Sequence, residues 1–264
     1  LRQRIITGVL AGALFIGLAF LGGWPYIGLL VLLAIIGFTE YARMNGVAWS
    51  HPSSLLGYAG VLLFVLPWSE WGIKIPSFST ILWMLAFLLL ALTVITKNKT
   101  TIDGAALMLL GALYVGYGFS AMIGIRQVEP NGLFWTFLCF FCIWASDIGA
   151  YFFGRAFGKT KLWPSISPNK TIEGALGGVF LSLVVSVVFA WLAPDLISIS
   201  KALLIGLIAA VAGQFGDLIQ SAYKRVRDIK DTGTLLPGHG GVLDRCDSWL
   251  IVFPLFMLTE LIPV

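Results

Sequence analysis

The chain has 264 residues, of which 58% are hydrophobic and 11% charged, with a formal net charge of +4. Soluble domains carry about 25% charged residues, so this composition excludes water as the main solvent of the chain. The three cysteines, Cys139, Cys142 and Cys246, sit in or beside apolar runs. An odd, membrane-embedded count argues against a disulfide framework, and the C-x-x-C spacing of Cys139 and Cys142 without a second pair reads as packing.

Apolar runs long enough to cross a hydrocarbon core of about 30 Å lie near 5–22, 24–42, 54–68, 80–96, 104–125, 133–153, 172–193, 202–222 and 243–262. A backbone in lipid must satisfy its own hydrogen bonds, so runs without strand-like alternation predict helices. The expected fold is therefore all-α, a polytopic transmembrane helical bundle of about nine spans and one integral membrane unit. The first run follows Arg2 and Arg4 like a signal peptide. It lacks an A-x-A-like exit and leads through Gly22-Gly23-Trp24-Pro25 into the next span, which predicts a retained helix.

Placing the N-terminus inside puts all Lys and Arg on the inner side except Lys74, Arg126 and Lys201. The positive-inside rule then predicts an N-in, C-out topology. Residues 1–130 read as a generic helical scaffold, and residues 131–264 carry the polar motifs. Small residues recur at helical spacing, as in Gly174 and Gly178 and in Gly206, Ala210 and Gly213. Such stripes allow close helix packing and permit a homodimer.

The spans are free of charge through their middles except for Asp147, Asp217, and the pair Asp244 and Asp247. Carboxylates in membrane helices are costly and mark functional sites. Asp217 lies about 22 Å along its span and Asp147 about 21 Å, which puts both near the cytoplasmic headgroup boundary. Asp217, Gln220, Ser221 and Lys224 share one helical face that continues the small-residue stripe. Asp244, Asp247 and Ser248 share another. If these faces meet, three carboxylates converge, and such hard oxygen ligands suit Mg2+, with room for a second cation.

Two segments are dense in polar groups. In 221–247, Lys224, Arg225, Arg227 and Lys230 offer cationic donors to phosphates, and Pro237-Gly238-His239-Gly240-Gly241 is a flexible turn whose amides can approach an anion. In 144–174, Asp147, Lys159, Lys161, Ser167, Lys170, Thr171 and Glu173 alternate with small residues. Ser167 to Thr171 precede the seventh span and predict an anion site at a helix N-terminus, with Glu173 as a first-turn acid. His51, in a short connection, reads as a surface histidine.

The segment from Ser221 to Asp247 resembles the signature of phosphatidate cytidylyltransferases, also called CDP-diacylglycerol synthases. Ser221, Lys224, Arg225, Lys230, Asp231, Gly233, Pro237, His239, Gly240, Gly241, Asp244, Arg245 and Asp247 fall in register with it. Tyr223 and Cys246 depart where aliphatic residues or Phe are usual. The upstream A-S-D-x-G-A-Y and S-P-x-K-T-x-E-G stretches and Gly216-Asp217 are similar too, so the likeness covers roughly the C-terminal half.

The resemblance implies a Mg2+-dependent nucleotidyltransferase of phospholipid biosynthesis in the inner (cell) membrane, its active site facing the cytoplasm. Its partners would be CTP, phosphatidic acid and bilayer lipid, and no nucleic acid is expected. Asp217, Asp244 and Asp247 would be metal ligands, with Asp147 beside them. Lys224, Arg225, Lys230, Arg245 and Lys170 would hold phosphates, joined by Ser167, Thr171, Ser221, Asp231, His239, Gly240 and Gly241 in substrate binding. Two rivals predict different chemistry. An ion-coupled transporter would place its acids near the bilayer midplane, and a CTP-dependent lipid kinase would transfer the γ-phosphoryl group.

Overall fold

The computed structural model describes residues 2–234 and 240–263, with side chains from Thr7 onward. Every apolar run carries a helix: α1 (Arg2–Leu21), α2 (Gly23–Met44), α3 (Pro52–Val65), α4 (Phe78–Ile95), α5 (Ile102–Arg126), α6 (Gly132–Phe157), α7 (Ile172–Leu192) and α8 (Ile199–Val226). The last run is split into α9 (Leu243–Cys246) and α10 (Trp249–Leu258). Six helices, namely α2, α4, α5, α6, α7 and α8, are long and apolar enough to cross a membrane, which makes this a multi-pass helical membrane protein. Thr7–Leu21, Pro52–Val65 and Trp249–Leu258 are shorter apolar helices. The chain divides into two compact units, Leu1–Ile123 with Asp231–Arg245, and Gly124–Lys230 with Cys246–Val264.

Local chemistry explains the helix starts. Ser77 accepts from the amide of Thr80, Ser198 from that of Lys201, and Thr171 from that of Gly174. Each hydroxyl satisfies an amide left over at a first turn. His51 does the same for α3 through Nδ1 and the Ser53 amide, with Pro52 following it in the first turn.

In the first unit, large side chains of one helix fill gaps over glycines of another. The Phe38 ring of α2 lies against Gly57 of α3, Leu85 of α4 against Gly60, and Tyr41 against Gly111 of α5. Phe38, Leu85 and Tyr41 are all buried. In lipid no hydrophobic force drives helices together, so this interlocking supplies the cohesion.

The second unit is built on α6, α7 and α8, with α10 packed on α6 and α8. Phe140 of α6 meets Phe253 and Trp249 with ring centroids 4.9 and 5.0 Å away. The G-x-x-x-G pair of α7 is the tightest seam. A Cβ on Gly174 would stand 2.7 Å from the Ala150 carbonyl oxygen, and one on Gly178 would stand 2.7 Å from that of Ser146. Buried polar groups tie the same helices together, since Ser182 Oγ donates to the Gly206 carbonyl at 2.8 Å and Gln214 Nε2 to that of Ala175 at 3.1 Å.

One element departs from the all-helical expectation. Lys161–Trp163 (β1) and Ser167–Thr171 (β2) form an antiparallel hairpin between α6 and α7. Glu173 pins its entry by accepting the amides of Lys159 and Thr160 at 3.1 Å each. This acid at the start of α7 thus binds the neighbouring chain, a role beyond the dipole effect expected of it. The cysteines are free and buried, in keeping with packing.

Replacing Gly178 by Leu drives a side chain into the backbone of α6, where overpacking costs about 1–3 kcal/mol. The melting temperature in detergent should fall and the monodisperse fraction shrink. Gly28→Leu, whose Cβ meets nothing within 4 Å, should leave both unchanged.

Candidate active site

The expected site residues form one cluster in each compact unit. In the second unit the cluster is centred on Asp217, near the C-terminal end of α8. Lys170 of β2 reaches it, with Nζ 2.6 Å from Asp217 Oδ2. On the next turn Ser221 donates through Oγ to Asp217 Oδ1 at 3.2 Å, as the shared helical face predicts. Both oxygens of this carboxylate are therefore engaged.

Asp247 is brought near by the small-residue stripe. The chain between α9 and α10 runs so close to α8 that a Cβ on Gly216 would stand 2.6 Å from the Asp247 carbonyl oxygen. Ser248 secures this approach by donating through Oγ to the Gly213 carbonyl at 3.0 Å. Asp247 Oδ1 then accepts the Ser248 amide at 2.7 Å. The break between α9 and α10 lies at Asp247–Ser248, so Asp247 stands on a turn held by glycines, not on the continuous helical face read from the sequence.

Asp147 on α6 is the third carboxylate of the group. Asp217 is the foremost charged neighbour of both Asp147 and Asp247, and Lys170 and Lys224 supply the opposing charge to Asp147 and Asp247 respectively. The side chains of Lys170 and Asp217 remain 26% and 40% accessible. An ion pair so exposed is worth about 0–1 kcal/mol. It contributes little to stability, and its accessible charges are free to exchange partners.

Arg225 Nε donates to the Ile166 carbonyl at 3.2 Å, which fastens the hairpin turn to the end of α8. Ser167 and Thr171 lie on β2, where Thr171 Oγ1 already serves the Gly174 amide at 3.1 Å. The stretch expected to present a helix N-terminus is thus a strand whose last residue caps the helix. Lys224 is half-buried and Lys230 exposed.

The first unit holds Asp231, Gly240, Gly241, Asp244 and Arg245. Asp244 Oδ2 accepts from the amide of Thr232 at 2.8 Å, its Oγ1 at 3.0 Å and the amide of Gly241 at 2.9 Å. Gly240 has a φ of +82°, and a Cβ there would stand 2.6 Å from Asp244 Oδ2 and 3.4 Å from Asp231 Oδ1. Asp231 and Arg245 are exposed. Pro237 and His239 lie outside the described residues.

Glu40 of α2 lies outside the polar segments that the sequence pattern singles out. It is 5% exposed, and its carboxylate accepts the amides of Val242 at 2.9 Å and Leu243 at 3.0 Å and the Thr232 hydroxyl at 3.0 Å. An acid inside the apolar run 24–42 was the available signal, obscured by its place near the run's polar end.

Among the described residues, no three His, Cys, Asp or Glu side chains are grouped so as to hold a metal ion.

The model of the cytidylyltransferase family matches residues 2–262. The chain is 41% identical over 256 residues to the phosphatidate cytidylyltransferase of Bacillus subtilis (strain 168), covering 96% of this chain and 95% of that protein. It is 38% identical over 257 residues to the protein of the same name from Staphylococcus haemolyticus, covering 97% of each. The corresponding Staphylococcus aureus (strain COL) protein is 36% identical, again over 97% of both chains. A match along nearly the whole length, spanning the carboxylate group and the glycine segment alike, shows that this chain belongs to the cytidylyltransferase family.

Proposed function

We propose that this chain transfers the cytidylyl group of CTP to phosphatidate, giving CDP-diacylglycerol and diphosphate for phospholipid synthesis. The observation that carries this reading is the Asp147, Asp217 and Asp247 group, with Lys170 lodged on Asp217, in a chain similar throughout to proteins named for this reaction. In the reaction a phosphatidate oxygen forms a bond to the α-phosphorus of CTP, and the bond from that phosphorus to the bridging oxygen of the β-phosphate breaks. The nucleophile is already anionic, so no proton need be removed from it. The task left to the protein is to align two anions and offset their charge.

The roles follow from the arrangement. Asp217 and Asp247 are the proposed Mg2+ ligands of the second unit, with Asp147 supporting them. Asp244, which gathers Thr232 and the Gly241 amide around its carboxylate, is the proposed ligand of the first unit. When bound, the cation would neutralise phosphate charge and stabilise the departing diphosphate. Lys170 turns from Asp217 to a phosphate, and Lys224 and Arg225 supply further donors at the same end of α8. Ser221 orients Asp217, and Ser167 and Thr171 line the hairpin approach. Lys230, Asp231, Gly240, Gly241, Arg245 and His239 complete the proposed contacts to substrate.

The topology is part of the proposal. Nine spans with the N-terminus inside put the polar clusters on the cytoplasmic side of the cell membrane, where CTP is available, and the distribution of Lys and Arg supports this. The small-residue stripes, which permit a homodimer on sequence grounds, are taken up by helix packing within the second unit.

Purified protein given CTP and phosphatidate should release diphosphate and form CDP-diacylglycerol in the presence of Mg2+, and EDTA should abolish both. Formation of CDP with a doubly phosphorylated lipid would point to the kinase instead. Asp217→Asn should lower the transfer rate by about 100-fold or more while the melting temperature stays near wild type, as the weak ion pair requires. Near-normal turnover at ordinary Mg2+ would remove Asp217 from the mechanism. In whole cells, a cysteine replacing Asp195 should react with an impermeant maleimide, and one replacing Lys159 only after permeabilisation. The reverse pattern would overturn the orientation.

A further inference from the structure

Glu40 occupies an unusual chemical position. A buried carboxylate on an apolar helix needs compensation, yet the partners described above are neutral donors, all from the C-terminal part of the chain some 200 residues away in sequence. Oε1 takes the Val242 amide, while Oε2 takes the Leu243 amide and the Thr232 hydroxyl. Gly233 and Gly241 both lie so close that a Cβ on either would collide with the Glu40 carboxylate. The same Thr232 hydroxyl also lies 3.0 Å from Asp244 Oδ2, so its single proton is divided between the two carboxylates. One carboxylate from α2 and one from α9 thus meet at the Thr232 hydroxyl and divide the amides of Gly241, Val242 and Leu243 between them.

We propose that Glu40 is a positioning residue for cytidylyl transfer, fixing Thr232 and Gly241–Leu243 so that Asp244 is held in a single orientation. It touches no substrate in this role and acts through Asp244 and the glycine backbone. The inference rests on the function proposed above, but its geometric core does not. Gln at this position keeps the shape of Glu and replaces one accepting oxygen with a donor. One face of the clamp would then oppose N–H or O–H groups with an N–H of its own.

The test compares wild type, Glu40→Gln and Glu40→Asp as full-length protein in detergent, with rates expressed per folded enzyme. In Glu40→Gln, hydrogen–deuterium exchange should quicken at Val242 and Leu243 and remain unchanged in α6 to α8. The kcat should fall about 10–100-fold, the range seen when a supporting partner of a ligand is lost, and the CTP KM should rise while the phosphatidate KM stays within about twofold. Glu40→Asp keeps two accepting oxygens one methylene short, so it should recover part of the rate. It also carries the comparison if Glu40→Gln does not accumulate.

Unaltered kcat and CTP KM in folded variants, whatever their melting temperatures, would reduce Glu40 to a purely structural tie and overturn the inference. So would unaltered exchange at Val242 and Leu243. Wild-type protein that makes no CDP-diacylglycerol would instead sink the assigned reaction, and the exchange measurement would still decide the clamp.

Discussion

A charged group carried on an apolar helix persists only where something offsets it, and this requirement organises the second unit of the protein. Asp217 is compensated by Lys170 at 2.6 Å and by the Ser221 hydroxyl. Around it stand Asp147 and Asp247, carboxylates of the same sign that repel it. A fold seeking only stability has little reason to assemble three acids on and beside apolar helices. On the function proposed above, the arrangement serves as a receptor for the positive charge of a cation.

The packing of this unit serves that assembly. Glycines on α7 let it run against α6, and Gly213 and Gly216 let the turn at Asp247–Ser248 settle on α8. Neither contact would survive a side chain at the crossing. In the first unit the logic is complementary, because buried acceptors on Glu40 and Asp244 collect backbone donors that no helix or strand satisfies. Gly240, with its positive φ, and Gly241 lie directly against those two carboxylates.

Much of this was legible in the residues. Apolar runs located every long helix, because in lipid the chain has no alternative to internal hydrogen bonding. Isolated acids in those runs flagged Asp147, Asp217 and Asp247, and the shared face of Asp217 and Ser221 reappears as a hydrogen bond. What escaped detection depends on contacts distant in sequence. The partners of Glu40 lie across most of the chain, and its place near the end of a run gave it the look of an ordinary interfacial acid. The hairpin of β1 and β2 is too short to show alternation, and it exists because Glu173 and Arg225 tie it down. The interruption between α9 and α10 follows from a backbone approach that no hydropathy pattern encodes.

That tethering of the hairpin has a kinetic consequence. Glu173 fastens its entry and Arg225 its turn, while Thr171 locks its exit into α7. The main chain under Lys170 is thereby anchored on all sides, and only the torsions of the lysine side chain remain available to it. Handing the ammonium from a carboxylate to an incoming phosphate would be a rotamer change, an event of picoseconds to nanoseconds. A mobile strand would take far longer to deliver the same charge. On the function proposed above, delivery of this charge is therefore not the step that limits turnover.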